Sequence, residues 1–246
     1  MLPKKKPLLF KIIRFIIRIF YRKREFLGQE NLPKNPSVIV MNHSQMHGPL
    51  DAELFFPTKK LIWCTGEMMN KKEVPAYAYK DFWSFKPKWN KWFYKMLSHV
   101  IAAPFAYVFK NADCVAVYKD MRIINTYNES VKALERGENV IIFPEKIDSY
   151  NEIINAFQDK FIDLARLYYS KTGKDLSFVP TYNAAKLKKV VFGKPITYDH
   201  TSDNSLERAR ITEYLMTEIT ALAKNLPVHT VVPYANVPKK QYPKSK

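Results

Sequence analysis

Glycine is scarce in this chain, six of 246 residues. No phosphate-cradling glycine loop is present, and no nucleophile elbow of the Gly-x-Ser-x-Gly type. Cysteine is scarcer still: Cys64 and Cys114 are too few for a disulfide framework and lack metal-ligand spacing, which fits a reducing, intracellular compartment. No apolar run approaches the roughly 20 residues of a membrane-spanning helix. The small-residue cleavage site of a signal peptide is also missing, so neither a bilayer span nor secretion is expected. Acid is the other deficit, with 23 Asp and Glu against 40 Lys and Arg and a formal net charge of +17. Solubility alone does not call for that excess, which points to a polyanionic partner: nucleic acid, an anionic membrane or an acidic carrier protein. What is plentiful is apolar residues, 47%, enough to bury one substantial core and to exclude a disordered or collagen-like chain.

The cations are concentrated at the start. Lys4, Lys5, Lys6, Lys11, Arg14, Arg18, Arg22, Lys23 and Arg24 fall in the first 24 residues, which contain no acid. Within PLLFKIIRFIIRIFYRK, Lys11, Arg14, Arg18 and Arg22 recur at helical spacing and form one narrow basic stripe on an otherwise apolar helix. A wide apolar face with a thin cationic stripe suits a helix lying in the lipid headgroup plane, its long side chains snorkelling to phosphates. The bland alternative is a core-packing helix with a basic polar stripe. A nucleic-acid arm fits poorly, because such arms are not this rich in Ile and Phe. A second patch, YKDFWSFKPKWNKWFYK over residues 79 to 95, interleaves Trp83, Trp89, Trp92, Phe82, Phe85 and Phe93 with lysines. That is the composition of a membrane–water interface, of a base-stacking platform, or in part of a core. Residues 225 to 246, rich in Pro and Lys, read as a mostly loose tail. The chain thus divides into a basic membrane-associating helix over 1–30, an α/β domain over 31–224 and the tail.

Inside that domain strands and helices alternate. Strands are predicted at 37–42, 60–64, 114–118, 138–145, 176–182 and 189–196, from short apolar runs rich in β-branched residues. Helices are predicted from near Pro49, over 122–136 with Gly137 as C-terminal cap, over 151–171, and after Ser205 as N-cap. The alternation predicts an α/β fold, a mixed, largely parallel sheet flanked by helices.

Functional groups in such folds gather beyond the strand carboxyl ends. Three strand-end segments carry useful side chains: MNHSQMHGPLD with His43, His47 and Asp51, YKDMR with Lys119 and Arg122, and FPEK with Pro144, Glu145 and Lys146. A histidine beside a carboxylate is a ready general base. His47 and Asp51 are four apart and share a helix face, whereas His43 at the strand tip reaches Asp51 only through the turn. A metal held by His43, His47 and Asp51 lacks a fourth ligand.

The ordered set, a strand ending in Asn42-His43, then Arg122, then Phe143-Pro144-Glu145, then Val179-Pro180 and Gly193-Lys194-Pro195, resembles the lysophospholipid and glycerophosphate acyltransferases related to bacterial 1-acylglycerol-3-phosphate acyltransferase. The resemblance covers roughly residues 35 to 200. It implies the glycerol-3-phosphate acyltransferase fold and transfer of a fatty acyl group from acyl-CoA or an acyl carrier protein to a lysophospholipid hydroxyl at the cytoplasmic face of the membrane. No cofactor and no nucleic-acid partner are implied. It makes His43 the base, Arg122 and nearby cations the phosphate-binding groups, and Glu145 a residue that positions the acceptor. Two departures stand out: Gly48 occupies the place of the family's aspartate, with Asp51 three positions late, and Lys146 replaces the glycine after Glu145. Either Asp51 swings in to orient His43, or His47 and Asp51 form the working pair, or the charge partner is gone. In the last case the chain is a weak or silent relative that binds lipid or an acyl carrier.

Overall fold

The computed structural model describes residues 6–83 and 86–246; Lys4, Lys5 and Phe85, counted above, lie outside the described residues. The elements in chain order are α1 (Leu8–Phe20), β1 (Glu25–Leu27), β2 (Val38–Met41), α2 (His47–Phe55), β3 (Lys60–Thr65), α3 (Val74–Ala78), α4 (Lys91–Val100), α5 (Ala102–Asn111), β4 (Cys114–Val117) and α6 (Ile123–Glu135). They continue with β5 (Asn139–Ile142), β6 (Glu145–Ser149), β7 (Asn155–Phe157), α7 (Asp163–Thr172), β8 (Ser177–Ala184), β9 (Lys189–Phe192), β10 (Ile196–Thr197) and α8 (Asn204–Lys224). The chain forms two compact units, Met1–Lys23 with Trp63–Thr126, and Arg24–Ile62 with Tyr127–Lys246.

In the second unit the strands run in the order β1-β9-β8-β2-β5-β3. The pairs β2 with β5, β2 with β8, β3 with β5 and β1 with β9 are parallel, while β8 pairs antiparallel with β9 and with β10. Val38, Ile39, Val40 and Met41 of β2 are all 0% exposed. A strand with parallel neighbours on both sides and covered faces reads as such an unbroken apolar run. The register sets Ile39 beside both Ile141 and Val179. The carboxyl ends of β2 and β5 therefore finish at one edge, where Asn42-His43 and Phe143-Pro144 leave the sheet beside the last residues of β8, which run on to Ala184 against β9. This is the mixed, largely parallel sheet with helices that the alternation implied.

Helix α8 presents Ile211, Leu215, Ile219 and Ala223, all 0% exposed, at intervals of four; the repeat puts them on one face. Its N-cap is Asp203 rather than Ser205, the Asp203 side chain accepting from the backbone N–H of Ser205 at 2.8 Å and of Leu206 at 3.2 Å. A carboxylate there satisfies two orphan donors and opposes the positive end of the helix dipole. The helix expected over 151–171 begins only at Asp163, and the hairpin β6–β7 occupies the chain before Phe157. Asn151 breaks the helix: its Oδ1 accepts from the N–H groups of Ile153 and Ile154 at 2.8 and 3.0 Å, an Asx turn that offers the backbone an alternative to helical bonds. Nor is the end of the chain loose. Val231 donates to Pro243 O at 2.9 Å, Ser245 to His229 O at 3.0 Å, and His229 Nε2 lies 2.9 Å from Oη of Tyr182 on β8.

In the first unit Met68, Val74, Ala78, Ala102 and Ala106 form a buried cluster, with Phe82, Trp83, Phe105 and Phe109 packed against it. Neither α4 nor α5 was expected from the sequence. Gly66 is fixed by Tyr118, whose ring would lie 2.1 Å from any Cβ at that position. Helix α1 buries Phe10 alone among its residues and leaves Leu8, Leu9, Ile12, Phe15, Ile16, Ile19 and Phe20 exposed. No helix of the described residues is long and apolar enough to cross a membrane.

Replacing Asp203 by Ala is expected to lower the free energy of unfolding by about 1 kcal/mol in a urea titration, with Ser205→Ala costing less, because only the former strips the cap.

Candidate active site

The turn after β2 is held by side-chain amides. Asn42 Oδ1 accepts from Asn183 N at 2.6 Å, and its Nδ2 donates to Ser44 Oγ at 2.9 Å and to Asn183 O at 3.3 Å. Ser44 and Gln45 both adopt the left-handed region, φ 46° and 54°, so the chain folds back on itself before α2. Gly48 closes the loop, its N–H donating to His43 O at 3.0 Å. A Cβ at position 48 would fall 2.6 Å from His43 O and 2.8 Å from the Phe143 ring. An aspartate five residues after the histidine therefore has no room in this loop, which accounts for the departure noted in the sequence.

His43 is fixed at three points. Its backbone N–H donates to Glu145 Oε2 at 2.5 Å. Its ring lies edge-on to Phe143, 5.4 Å between centroids, and to Tyr234 at 5.5 Å. Ring atom Nδ1 is hydrogen-bonded to the carbonyl oxygen of Gln45. A carbonyl only accepts, so Nδ1 carries the hydrogen and Nε2 keeps its lone pair. Burial pushes the His43 pKa below the ordinary 6.5, partly opposed by that carbonyl, and leaves the imidazole neutral. Gln45 is itself pinned from the end of the chain, its Nε2 donating to Ala235 O and its Oε1 accepting from Tyr242 Oη, each at 3.1 Å. The tail expected to be loose thus wraps the turn that carries His43.

Asp51 is not the group that meets the His43 ring. It is 0% exposed on α2, and its oxygens accept from Arg24 Nε and Asn183 Nδ2, each at 2.7 Å. Arg24, counted above among the basic N-terminal residues, is likewise buried and forms an ion pair of the core. Its nearest cationic neighbours in sequence are exposed. His47 opens α2, one turn before Asp51. Burial first, then the charges of Arg24 and Lys186, lower its pKa, so this imidazole is also neutral.

Glu145 is buried at the start of β6 and uses both oxygens, Oε2 on His43 N and Oε1 on Asn155 N at 3.0 Å. Burial raises its pKa to about 7 in spite of the two donors. Pro144, also buried, accepts from Gln158 N at 2.9 Å and anchors the return of the hairpin. Lys146 lies on the exposed side of β6, 3.2 Å from Asp148. Arg122 and Lys119 belong to the other unit, and both are exposed. The Arg122 guanidinium sits 3.5 Å over the Tyr118 ring and makes a two-pronged pair with Asp120. That pairing holds the Asp120 carboxyl well below its usual range, at about 2. Among the described residues no cluster of three His, Cys, Asp or Glu is arranged to hold a metal.

The structure brings together His43 and Glu145, both singled out in the sequence, and adds Gln45, Tyr234 and Tyr242, which were not. Gln45 acts through a carbonyl that any residue would supply, and the two tyrosines lie some 190 residues further along the chain. The unusual signal was the two non-glycine residues between His43 and Met46, which a tight turn forces into the left-handed region.

No curated protein matches the sequence. The sequence model of the family described as Acyltransferase matches residues 23–182. Among solved structures, the 1-acyl-sn-glycerophosphate (LPA) acyltransferase PlsC from Thermotoga maritima is similar at 18% identity with a TM-score of 0.46, over 87% of this chain and 80% of that one.

Asp51→Ala is expected to cost about 3–5 kcal/mol in chemical unfolding, because it leaves the Arg24 charge buried without its partner. The double variant Arg24→Met with Asp51→Leu should recover a large part of that loss. A cost near 1 kcal/mol or below would mean that the pair behaves as a solvated one.

Proposed function

The chain belongs to the acyltransferase family, and we propose that it moves a fatty acyl group from the thioester of acyl-CoA or an acyl carrier protein to the hydroxyl of a lysophospholipid, such as 1-acylglycerol 3-phosphate, in phospholipid synthesis. His43 is the general base. Its Nε2 takes the hydroxyl proton as the oxygen attacks the thioester carbon. The new C–O bond forms, the C–S bond breaks, and the imidazolium returns the proton to the departing thiolate. The observation that carries this reading is the bond from Nδ1 to the Gln45 carbonyl, which sets the tautomer with Nε2 as acceptor. Glu145 acts on the base rather than on the acceptor, by holding the His43 backbone. Arg122, with Lys119 beside it, binds the acceptor phosphate in competition with Asp120. The protein works peripherally at the cytoplasmic face of the membrane, on which α1 rests its exposed Leu8, Ile12, Phe15, Ile16 and Ile19.

A second reading, a relative that binds lipid or an acyl carrier without turnover, draws on one observation: the ring nitrogen partner of His43 is a neutral carbonyl rather than a carboxylate. The two readings part in a single assay. The first requires CoA release from acyl-CoA that depends on added lysolipid and falls by about 10²–10⁴ in His43→Ala; the second requires no release above background.

The pH profile of the active protein carries a further expectation. Because the folded His43 has a lowered pKa, the acid limb of kcat/KM lies below 6.5, and transfer persists where an ordinary histidine is already protonated. At the phosphate site Arg122→Ala should raise KM for a phosphate-bearing acceptor, whereas Asp120→Asn should lower it by freeing the guanidinium. An unchanged KM in both would remove Arg122 from the site.

A further inference from the structure

The 3-10 turn Lys88–Asn90 and helix α4 that follows it turn an apolar face outward. Trp89 is 81% exposed, Trp92 68%, Val100 64%, Met96 51% and Phe93 42%. On α4 residues 92, 93, 96 and 100 recur at intervals of one, three and four, which is one side of a helix. The opposite side is the packed one: Tyr94 stacks on Trp83 with centroids 5.7 Å apart, and Ser98 is buried. The outward tryptophans are thus not core residues caught at a margin, and the helix already has its core face elsewhere. A monomer in water seldom leaves so much contiguous aromatic surface uncovered.

The charge around this face identifies what covers it. Lys86, Lys88, Lys91 and Lys95 are exposed, and the sequence from Phe82 to Ala112 contains no Asp or Glu. The unit to which α4 belongs, Met1–Lys23 with Trp63–Thr126, holds 18 of the lysines and arginines but only five of the acids, so 13 of the chain's 17 excess positive charges lie in this one unit. The same unit exposes the apolar side of α1. Tryptophan beside lysine at the edge of an apolar strip matches the border of a bilayer, where rings sit at headgroup depth and ammonium groups reach phosphates. An acidic protein partner would satisfy the lysines, but it would not call for two separate exposed apolar helix faces in one unit.

We propose that the outward face of Trp89, Trp92, Phe93, Met96 and Val100 is a second membrane-docking surface, additional to α1, and that its partner is an anionic phospholipid bilayer. The inference does not depend on which residue performs acyl transfer. On docking, the apolar side chains enter the headgroup–acyl boundary and the four lysines lie against lipid phosphates.

The test uses the full chain with α1 intact, sedimented with vesicles of phosphatidylcholine containing phosphatidylglycerol. Tryptophan emission is expected to shift to shorter wavelength on these vesicles. Trp89→Ser/Trp92→Ser should weaken binding at least tenfold, and Lys88→Gln and Lys91→Gln should weaken it about fivefold each. Melting should be unchanged in all of them, since these side chains leave water only on binding. Transfer to a short-chain, water-soluble acceptor should also be unchanged, which separates this inference from the proposed chemistry. Vesicle binding that survives both the tryptophan and the lysine variants overturns the proposal. So does equal binding to pure phosphatidylcholine, or an effect of the same variants confined to self-association, to an acyl carrier protein or to DNA.

Discussion

The geometry of the candidate site depends on the buried amide network that ties the end of β2 to β8. The Asn42 side chain accepts from the backbone N–H and donates to the backbone carbonyl of Asn183, and the Asn183 side chain passes the connection on to Asp51, which holds Arg24. Buried groups of this kind are costly unless they find partners, and here all but Asn183 Oδ1 among these side-chain amide and carboxylate atoms do, which leaves few alternative arrangements. The consequence is local and specific. The turn after β2 cannot relax into an ordinary helix N-terminus, so Ser44 and Gln45 are held in the left-handed region and the Gln45 carbonyl is brought round to the His43 ring. Asp51, which the sequence marked as a candidate partner of the base, instead keeps the frame in which the base stands.

Replacing a carboxylate by a carbonyl at Nδ1 changes the chemistry in a definite direction. Either acceptor fixes the tautomer and the ring plane. Only the carboxylate adds a full charge that stabilises the imidazolium as the proton arrives, an effect of one to several pKa units for a close pair. A His43 held by Gln45 is therefore well oriented but weakly basic, and burial beside Phe143 and Tyr234 weakens it further. In the proposed reaction such an imidazole would contribute from the lower part of the usual range of general-base catalysis, leaving proximity of donor and acceptor to carry more of the rate.

What could be read in the sequence follows from how local its cause is. Strands β2, β5 and β8 were legible because burial on both faces leaves an uninterrupted apolar run, and the helix end at Gly137 because its φ of 81° suits glycine. The β6–β7 hairpin was not legible. Ile153, Ile154, Phe157 and Phe161 sit at helical intervals by coincidence, and the Asx turn of Asn151 overrides the pattern. Nor was the place of Arg24. One position separates it from Lys23 in a run of cations, yet it lies in the core because Asp51, 27 residues later, is there to neutralise it. The ordering of the C-terminal segment rests on Gln45, Tyr182 and His229, pairings far apart in sequence that no window of residues contains.

The two units place opposite demands on the same composition. In the one that carries His43, the buried charges of Arg24 and Asp51 are paired, and burial pushes His43 and Glu145 toward their neutral forms. The other unit concentrates cations and leaves aromatic side chains in the open. Spreading the excess charge evenly would have brought like charges to the border of the sheet, where each added cation depresses a histidine pKa as Arg24 and Lys186 already do at His47. With 13 of the 17 excess charges in the segments 1–23 and 63–126, the unit that carries His43 is nearly balanced, 22 cations against 18 acids. That division lets one chain hold an imidazole in apolar surroundings while its other unit is strongly basic and exposes the apolar sides of α1 and α4.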